Sequence, residues 1–389
     1  MDKVLYLQWD CFGEEYICDC FKKNGLDVES YSIPYGHTSM RRDEAFEKKL
    51  EEHYENGEYL FAFSFNYFPA VALAIYAAGG RYISWTYDSP FMYLYSKTIS
   101  LPSNISFSFD SYTVDDLKKK GVNNLYYLPM AAPVDRYDRI YSSASERKQY
   151  GGDIAFVGSM YTEPRQNWME KLYDVSDDVW NVLETLMKLQ LQSYAMPVLE
   201  RLLNKDLVSE LQKVCPIELG NDEMQTIEWM YANYFLARGT TAVERTNILT
   251  NLADKYSVNL FSPADTPGVP GVAHKDPVDY CDGMPHVFKN SKINLNISLK
   301  SIYSGIPLRA FDIMGCKGFL ISDFQPDFGG LFIPDEDYVF YTTEDDLMKK
   351  VDFYLEHEDK RNQIAQSGYE KVKEQHTYDV RVQTMLSYL

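Results

Sequence analysis

The chain has 389 residues, a length that suits two or three domains. Hydrophobic residues make up 45% and charged residues 24%, which excludes a disordered or fibrous protein. Lys and Arg number 38 against 57 Asp and Glu, a net charge of −19 that disfavours nucleic acid and anionic lipid as partners but leaves room for a small anion in a local cationic pocket. The aromatic share is 15%, with 32 Tyr, which suits either an aromatic core or clefts for polar, ring-shaped ligands. Six cysteines form no CxxC pair and have no His at zinc-ligand spacing, so reduced thiols are expected. The start MDKVLYLQWD has no signal-peptide pattern, and a cytoplasmic location is the expectation.

In chain order, Lys3–Gln8 reads as a strand, Glu14–Asn24 as a helix, Leu26–Ile33 as a strand and Arg41–Asn56 as an amphipathic helix stopped by Gly57. The apolar run Tyr59–Ala78 is long enough for a membrane span, but Pro69 disfavours helix at Phe68 and splits it into a strand, Tyr59–Phe65, and a helix, Ala70–Ala78. Strand Arg81–Thr86, strand Ile105–Phe109, helix Val114–Lys120 and strand Leu125–Leu128 follow. Pro129–Tyr141 reads as a linker, after which the alternation restarts with strand Asp153–Val157, a loop from Gly158 and a helix from Pro164. Residues 174–238 read as inserted helices. Then come helix Ala242–Lys255, strand Val258–Phe261, the loop SPADTPGVPGVAH, strand Lys292–Ile297, helix Pro307–Met314, strand Gly318–Ser322 and helices over 343–356, 358–374 and 377–389. Strands alternating with helices predict two Rossmann-like, doubly wound parallel sheets in series, with ligands at the carboxyl ends of the strands and in a central cleft.

The motifs GxGxxG, GxxxxGK[ST], HExxH and GxSxG are absent, against classical dehydrogenases, P-loop NTPases, zincins and α/β-hydrolases. Three loops leaving strands are informative. Gly158 and Ser159 close one strand, and Tyr161 and Arg165 follow, so backbone N–H groups and a cation at a helix start suit a phosphate; an ordinary turn with a solvated arginine is the alternative. A second strand ends at Ser298, and Ser304 and Gly305 lead into a proline-started helix carrying Arg309 in its first turn and Asp312 one turn on. That pair reads as a simple ion pair or as a diphosphate clamp beside a hydroxyl acceptor. In the third loop, WTYDSP, Asp88 stands at a strand end among aromatic residues; it is either a turn former or a cleft-facing carboxylate.

The segments KINLNIS, GIPLRAFDIMGCKGFLISDF, FVGSMY and WTYDSP resemble the spore-maturation (CgeB-like) glycosyltransferases, relatives of the group-1 enzymes of GT-B fold. SGYEKVKEQHTYDVRVQTML and the linker-like LPMAAPVDRY follow the same pattern, which is weakest across 174–238. The resemblance implies a hexosyltransferase-like enzyme that moves a sugar from a UDP- or GDP-type donor to a glycan, protein or small-molecule acceptor without a metal. It implies an N-terminal acceptor domain over 1–135, a C-terminal donor domain over 136–375 with the helical insertion, and a C-terminal helix, 376–389, packing back on the first domain. Group-1 enzymes carry two donor-contacting glutamates eight positions apart; here the matching positions are Ser304, no carboxylate, and Asp312, a shorter one placed for the ribose. Arg309 and Arg165 match positions suited to the diphosphate, with Gly158, Ser159, Tyr161, Ser298 and Gly305 lining the donor, and Asp88 is the candidate base or acceptor-orienting group. Two other readings compete: a non-enzymatic sugar- or nucleotide-binding structural protein of a spore or surface layer, and a nucleotide-sugar epimerase.

Overall fold

A computed structural model of the chain describes residues 2–36 and 39–389. It contains two compact units, one of Met1–Ala131, Gly220–Gln225 and His376–Leu389, the other of Ala132–Leu219 and Thr226–Gln375.

The first unit is built on six parallel strands, β1 (Lys3–Gln8), β2 (Asp27–Ser32), β3 (Tyr59–Phe65), β4 (Tyr82–Thr86), β5 (Asn104–Ser108) and β6 (Leu125–Tyr127). Their order is β2-β1-β3-β4-β5-β6. Helices cover both faces of such a sheet, so its central strands lose the alternation of a half-exposed strand. All of β4 and the last five residues of β3 are buried. The apolar run that could pass for a membrane span breaks where expected: Phe68 is extended, Pro69 opens the helix Pro69–Ala77, and proline there gives up an N–H that has no helical partner anyway. Among the described residues no helix is long and apolar enough to cross a membrane. The helix Glu14–Lys23 packs on the C-terminal helix Tyr378–Leu386, with the rings of Tyr16 and Tyr378 5.5 Å apart. Gly13 enters the first of these helices at φ +89°, and a Cβ there would lie 2.7 Å from the Tyr378 hydroxyl, so only glycine fits. The segment Gly220–Gln225 lies along this unit in extended form: Glu223 pairs with Ser96, and Arg41 bonds Asp222 at 2.9 Å and Glu223 at 2.6 Å.

The second unit holds β7 (Gly152–Val157), β8 (Val258–Phe261), β9 (Ala273–Lys275), β10 (Ser291–Asn296), β11 (Leu320–Asp323) and β12 (Val339–Tyr341), all parallel, in the order β12-β11-β10-β7-β8-β9. From β7 the chain runs outward to β8 on one side, and from β10 to β11 on the other. The boundary between β7 and β10 is therefore the switch point, where the crossovers diverge and leave room at the carboxyl edge. Ile154, Leu260, Ile293, Ile321 and Val339 form the core together with Leu249 and Leu252 of the helix Ala237–Ala253.

Several sequence expectations change here. The helix expected from Pro164 does not form; a turn over 164–166 and a short 3-10 segment, Trp168–Leu172, stand in its place. The cause is Glu163, whose buried carboxylate turns the backbone back on itself, as described below. The supposed linker Pro129–Tyr141 contains a helical turn, Val134–Tyr137. The Pro/Gly-rich loop hides the edge strand β9, which has little burial and hence no apolar signal.

Candidate functional site

At the carboxyl edge of the second sheet four charged side chains, Glu244, Arg245, Lys300 and Asp323, are each less than a tenth exposed. Lys300 Nζ lies 2.7 Å from Glu244 and 3.5 Å from Asp323. Burial alone would pull the lysine's pKa down, but the two carboxylates outweigh it and push the pKa up. Burial pushes Glu244 up despite the opposing lysine. Asp323 also receives the backbone N–H and hydroxyl of Ser298, at 3.0 and 2.8 Å. Thr241 accepts the Lys300 backbone N–H at 3.0 Å. Arg245 donates to the carbonyl oxygens of Ile297, at 3.1 Å from Nε, and of Ser159, and so ties the end of β10 to the end of β7. Its guanidinium lies 5.0 Å from the ring centres of Phe156 and of Tyr161. Two cations and two carboxylates thus fix both loops at the switch point before any ligand arrives.

The loop after β7 is closed from inside. Glu163 is 2% exposed and accepts the Ser159 hydroxyl and the Met160 N–H, each at 2.6 Å, and the Thr266 hydroxyl at 2.9 Å. Burial would raise its pKa; these bonds outweigh burial and hold it below the usual value. Ser159 therefore spends its proton on Glu163 and accepts the Tyr161 N–H at 3.1 Å, instead of pointing outward. Tyr161 takes a left-handed backbone conformation at φ 59°, directly beyond Gly158 and Ser159. Arg165 is exposed on the following turn, not at a helix start.

Ser304 and Gly305 lead into the helix Leu308–Gly315; the Ser304 carbonyl accepts the Asp327 N–H at 3.1 Å. Arg309, in the first turn, lies 3.6 Å from Asp312 and 5.7 Å from the Phe288 ring. Asp312 is fully buried. Its Oδ1 accepts the hydroxyls of Tyr137 at 2.9 Å and Tyr280 at 3.0 Å, whereas Oδ2 faces the Arg309 guanidinium at 3.6 Å, beyond direct hydrogen-bond distance. Burial raises its pKa to about 6, against the lowering effects of Arg309 and the two tyrosines. The helix thus carries a partly exposed cation and a buried acceptor with one oxygen to spare.

The first unit presents a different edge. Asn66, fully buried, stands at φ 57° after β3, a conformation asparagine tolerates. Its amide donates to Asp88 Oδ2 at 2.7 Å, and its oxygen accepts the N–H groups of Tyr87 and Asp88 at 3.1 and 3.3 Å. Asp88 is thereby exposed yet oriented. Around the same edge stand Trp9, Tyr35, Phe68 and Tyr87; the Trp9 ring lies 4.9 Å from Tyr35 and 6.3 Å, stacked, from Tyr87.

Sequence reasoning missed Glu163, Glu244, Arg245, Lys300 and Asp323, and the tyrosines on Asp312. Apart from the neighbours Glu244 and Arg245, the partners lie on different elements, so no local spacing marks the set. The one available signal was the Glu244–Arg245 pair inside a helix otherwise rich in small and apolar residues.

Residues 245–387 match the family described as glycosyl transferase-like. No curated protein matches the chain. Among solved structures, the Anabaena protein Alr3699/HepE, in complex with UDP and glucose, superposes with a TM-score of 0.55 at 12% identity over 100% of both chains. A glycosyltransferase from Rickettsia africae gives 0.54 at 11%, over 100% of this chain and 97% of that one. Sucrose-phosphate synthase from Thermosynechococcus elongatus gives 0.55 at 10%, over 100% and 98%. The two parallel six-stranded sheets in series are the GT-B fold. Within that fold the glycosyl transferase-like match covers most of the second unit's C-terminal half. Its matched stretch begins at Arg245, the residue that joins the two switch-point loops, and runs through Lys300, Arg309 and Asp312.

Proposed function

We propose that this glycosyltransferase takes a nucleoside-diphosphate sugar, of UDP or GDP type, on the carboxyl edge of its second unit and passes the sugar to an acceptor hydroxyl at Asp88. The observation that carries the reading is the Arg309–Asp312 pair. Sugar transfer builds negative charge on the departing phosphate, and a fixed guanidinium in the first turn of a helix, beside that helix's positive dipole end, stabilises such charge. Asp312 Oδ2, buried and facing only Arg309 at 3.6 Å, has acceptor capacity that a ribose hydroxyl would use. Arg165, exposed on its turn, is a second candidate cation for the phosphate. Gly158, Ser159, Tyr161, Ser298 and Gly305 shape the backbone of the two loops around the donor. The UDP in the complex of the Anabaena neighbour is a nucleotide of this class.

In the position facing the donor sugar Ser304 offers a hydroxyl where group-1 enzymes offer a carboxylate. Protein cations take up the leaving charge in this reading, so added chelator leaves turnover unchanged. The loops WTYDSP, FVGSMY and GIPLRAFD support assignment to the CgeB-like branch, with a glycan, protein or small-molecule acceptor. Incubating the protein with a panel of nucleotide sugars, with and without acceptors, tests the reading. Release of free nucleotide together with a glycosylated product is expected; an epimerised donor, or binding without any product, overturns it.

A further inference from the structure

Away from Arg309 and Asp312, the second unit contains a cavity of about 290 Å³ between the end of the helix Asp177–Leu191, the helix Ala237–Ala253 and the residues following β12. Its lining includes Leu191, Tyr194, Glu244, Asn247, Tyr341 and Thr343. Tyr341 is fully buried, and its hydroxyl has no hydrogen-bond partner. A buried phenol without a partner costs stability unless something else satisfies it. Glu244 brings a carboxylate to the same wall, Asn247 an amide and Tyr194 a ring.

We propose that this cavity binds one uncharged sugar ring, at a subsite separate from the nucleotide. Three arguments select that chemistry. The volume is at the small end of ligand pockets, about 300–1,000 Å³, which admits a monosaccharide but no nucleoside diphosphate. The wall mixes an aromatic ring with a hydroxyl, an amide and a carboxylate, groups that match a ring with an apolar face and several hydroxyls. Charge disfavours an acid: Glu244 is balanced by Lys300 at 2.7 Å, and the other charged group of the lining is a further carboxylate, Glu344, so an anion meets no free cation there. Hydroxyl groups meet Tyr341 and Glu244 without upsetting that balance. The ring could arrive as a free hexose or as one unit of a glycan, and the same wall serves both.

The test is ligand-observed NMR on the full chain with UDP held at saturation, using D-glucose, D-galactose and N-acetylglucosamine as free sugars and maltose and cellobiose as glycan units. At least one sugar is expected to bind under these conditions. Tyr341→Phe, which removes only the hydroxyl, should weaken it about three- to tenfold, the loss of one hydrogen bond. Leu191→Trp, which fills the cavity, should abolish binding. Asn247→Ala provides a third variant if the tryptophan fails to fold. Stronger binding of a disaccharide than of its monomer assigns the cavity to a glycan, and the reverse assigns it to a free sugar. Binding that no variant changes, or no binding of any probe, overturns the inference. Because the readout is sugar binding and not turnover, its failure leaves the transfer reaction to be judged by nucleotide release alone.

Discussion

The two carboxyl edges are built on sheets of the same size and direction, yet they are held in opposite ways. At the second unit's edge the loops are fixed by charge: Lys300, Arg245, Glu244 and Asp323 are buried and paired, and Glu163 closes the neighbouring turn with three hydrogen bonds. At the first unit's edge a neutral residue, Asn66, orients the exposed Asp88, and the surroundings are aromatic. A donor diphosphate has one invariant, highly charged shape, and a preorganised frame suits it. An acceptor need present only a hydroxyl and a face to stack on, which rings and one oriented carboxylate provide.

The largest expected effect comes from breaking the charged frame. Lys300→Met leaves Glu244 and Asp323 buried without their shared cation, and should cost about 3–5 kcal/mol of stability, read by denaturant unfolding. An unchanged midpoint would mean the frame is not held by charge. On the other edge, Asp88→Asn keeps an oxygen able to accept the Asn66 amide, so it should change melting little and act mainly on catalysis. A loss of about 10²–10⁴ in turnover marks Asp88 as the base of an inverting transfer. A rise confined to the acceptor's KM marks it as an orienting group in a retaining one. Earlier melting with normal turnover at low temperature would remove Asp88 from the acceptor edge.

Asp312 sharpens the contrast through pH. Its folded pKa of about 6 lies above the ordinary carboxyl value of 3.8, so its contribution to stability is fully present below 3.8 and is lost as pH rises through about 6. Nucleotide binding should run the other way, weakening as pH falls through about 6, because protonation removes the acceptor offered to the ribose. Asp312→Asn should flatten that step and weaken binding at neutral pH, with little change in melting temperature. Calorimetry across pH 5–8 checks it; a variant that keeps the wild-type step excludes Asp312 as its origin.

The sheets were readable because parallel strands covered on both faces are nearly continuous apolar runs, as in Tyr59–Phe65 with only Ser64 polar, and because Pro69 punctuates the run that follows. The strand β9 escaped because its three residues carry little burial, and β12, though buried, because three residues are too few to show a pattern. In the site, Arg309 and Asp312 share one helix face and could be paired by spacing. Lys300 could not be paired with Glu244 and Asp323, since those contacts exist only after two helix crossovers have folded. The helix expected at Pro164 failed for a similar reason: the sequence shows a proline suited to a helix start, but not the Ser159 and Thr266 hydroxyls that draw Glu163 inward.

Calorimetric titration of UDP and of GDP into the wild-type chain and into Arg309→Ala tests the central claim, that the second unit's edge is a diphosphate site, most directly. The account predicts measurable binding of at least one nucleotide, weakened by about 1.5–3 kcal/mol in the variant, the value of a charge-assisted hydrogen bond. Equal affinity of both proteins for both nucleotides would contradict it.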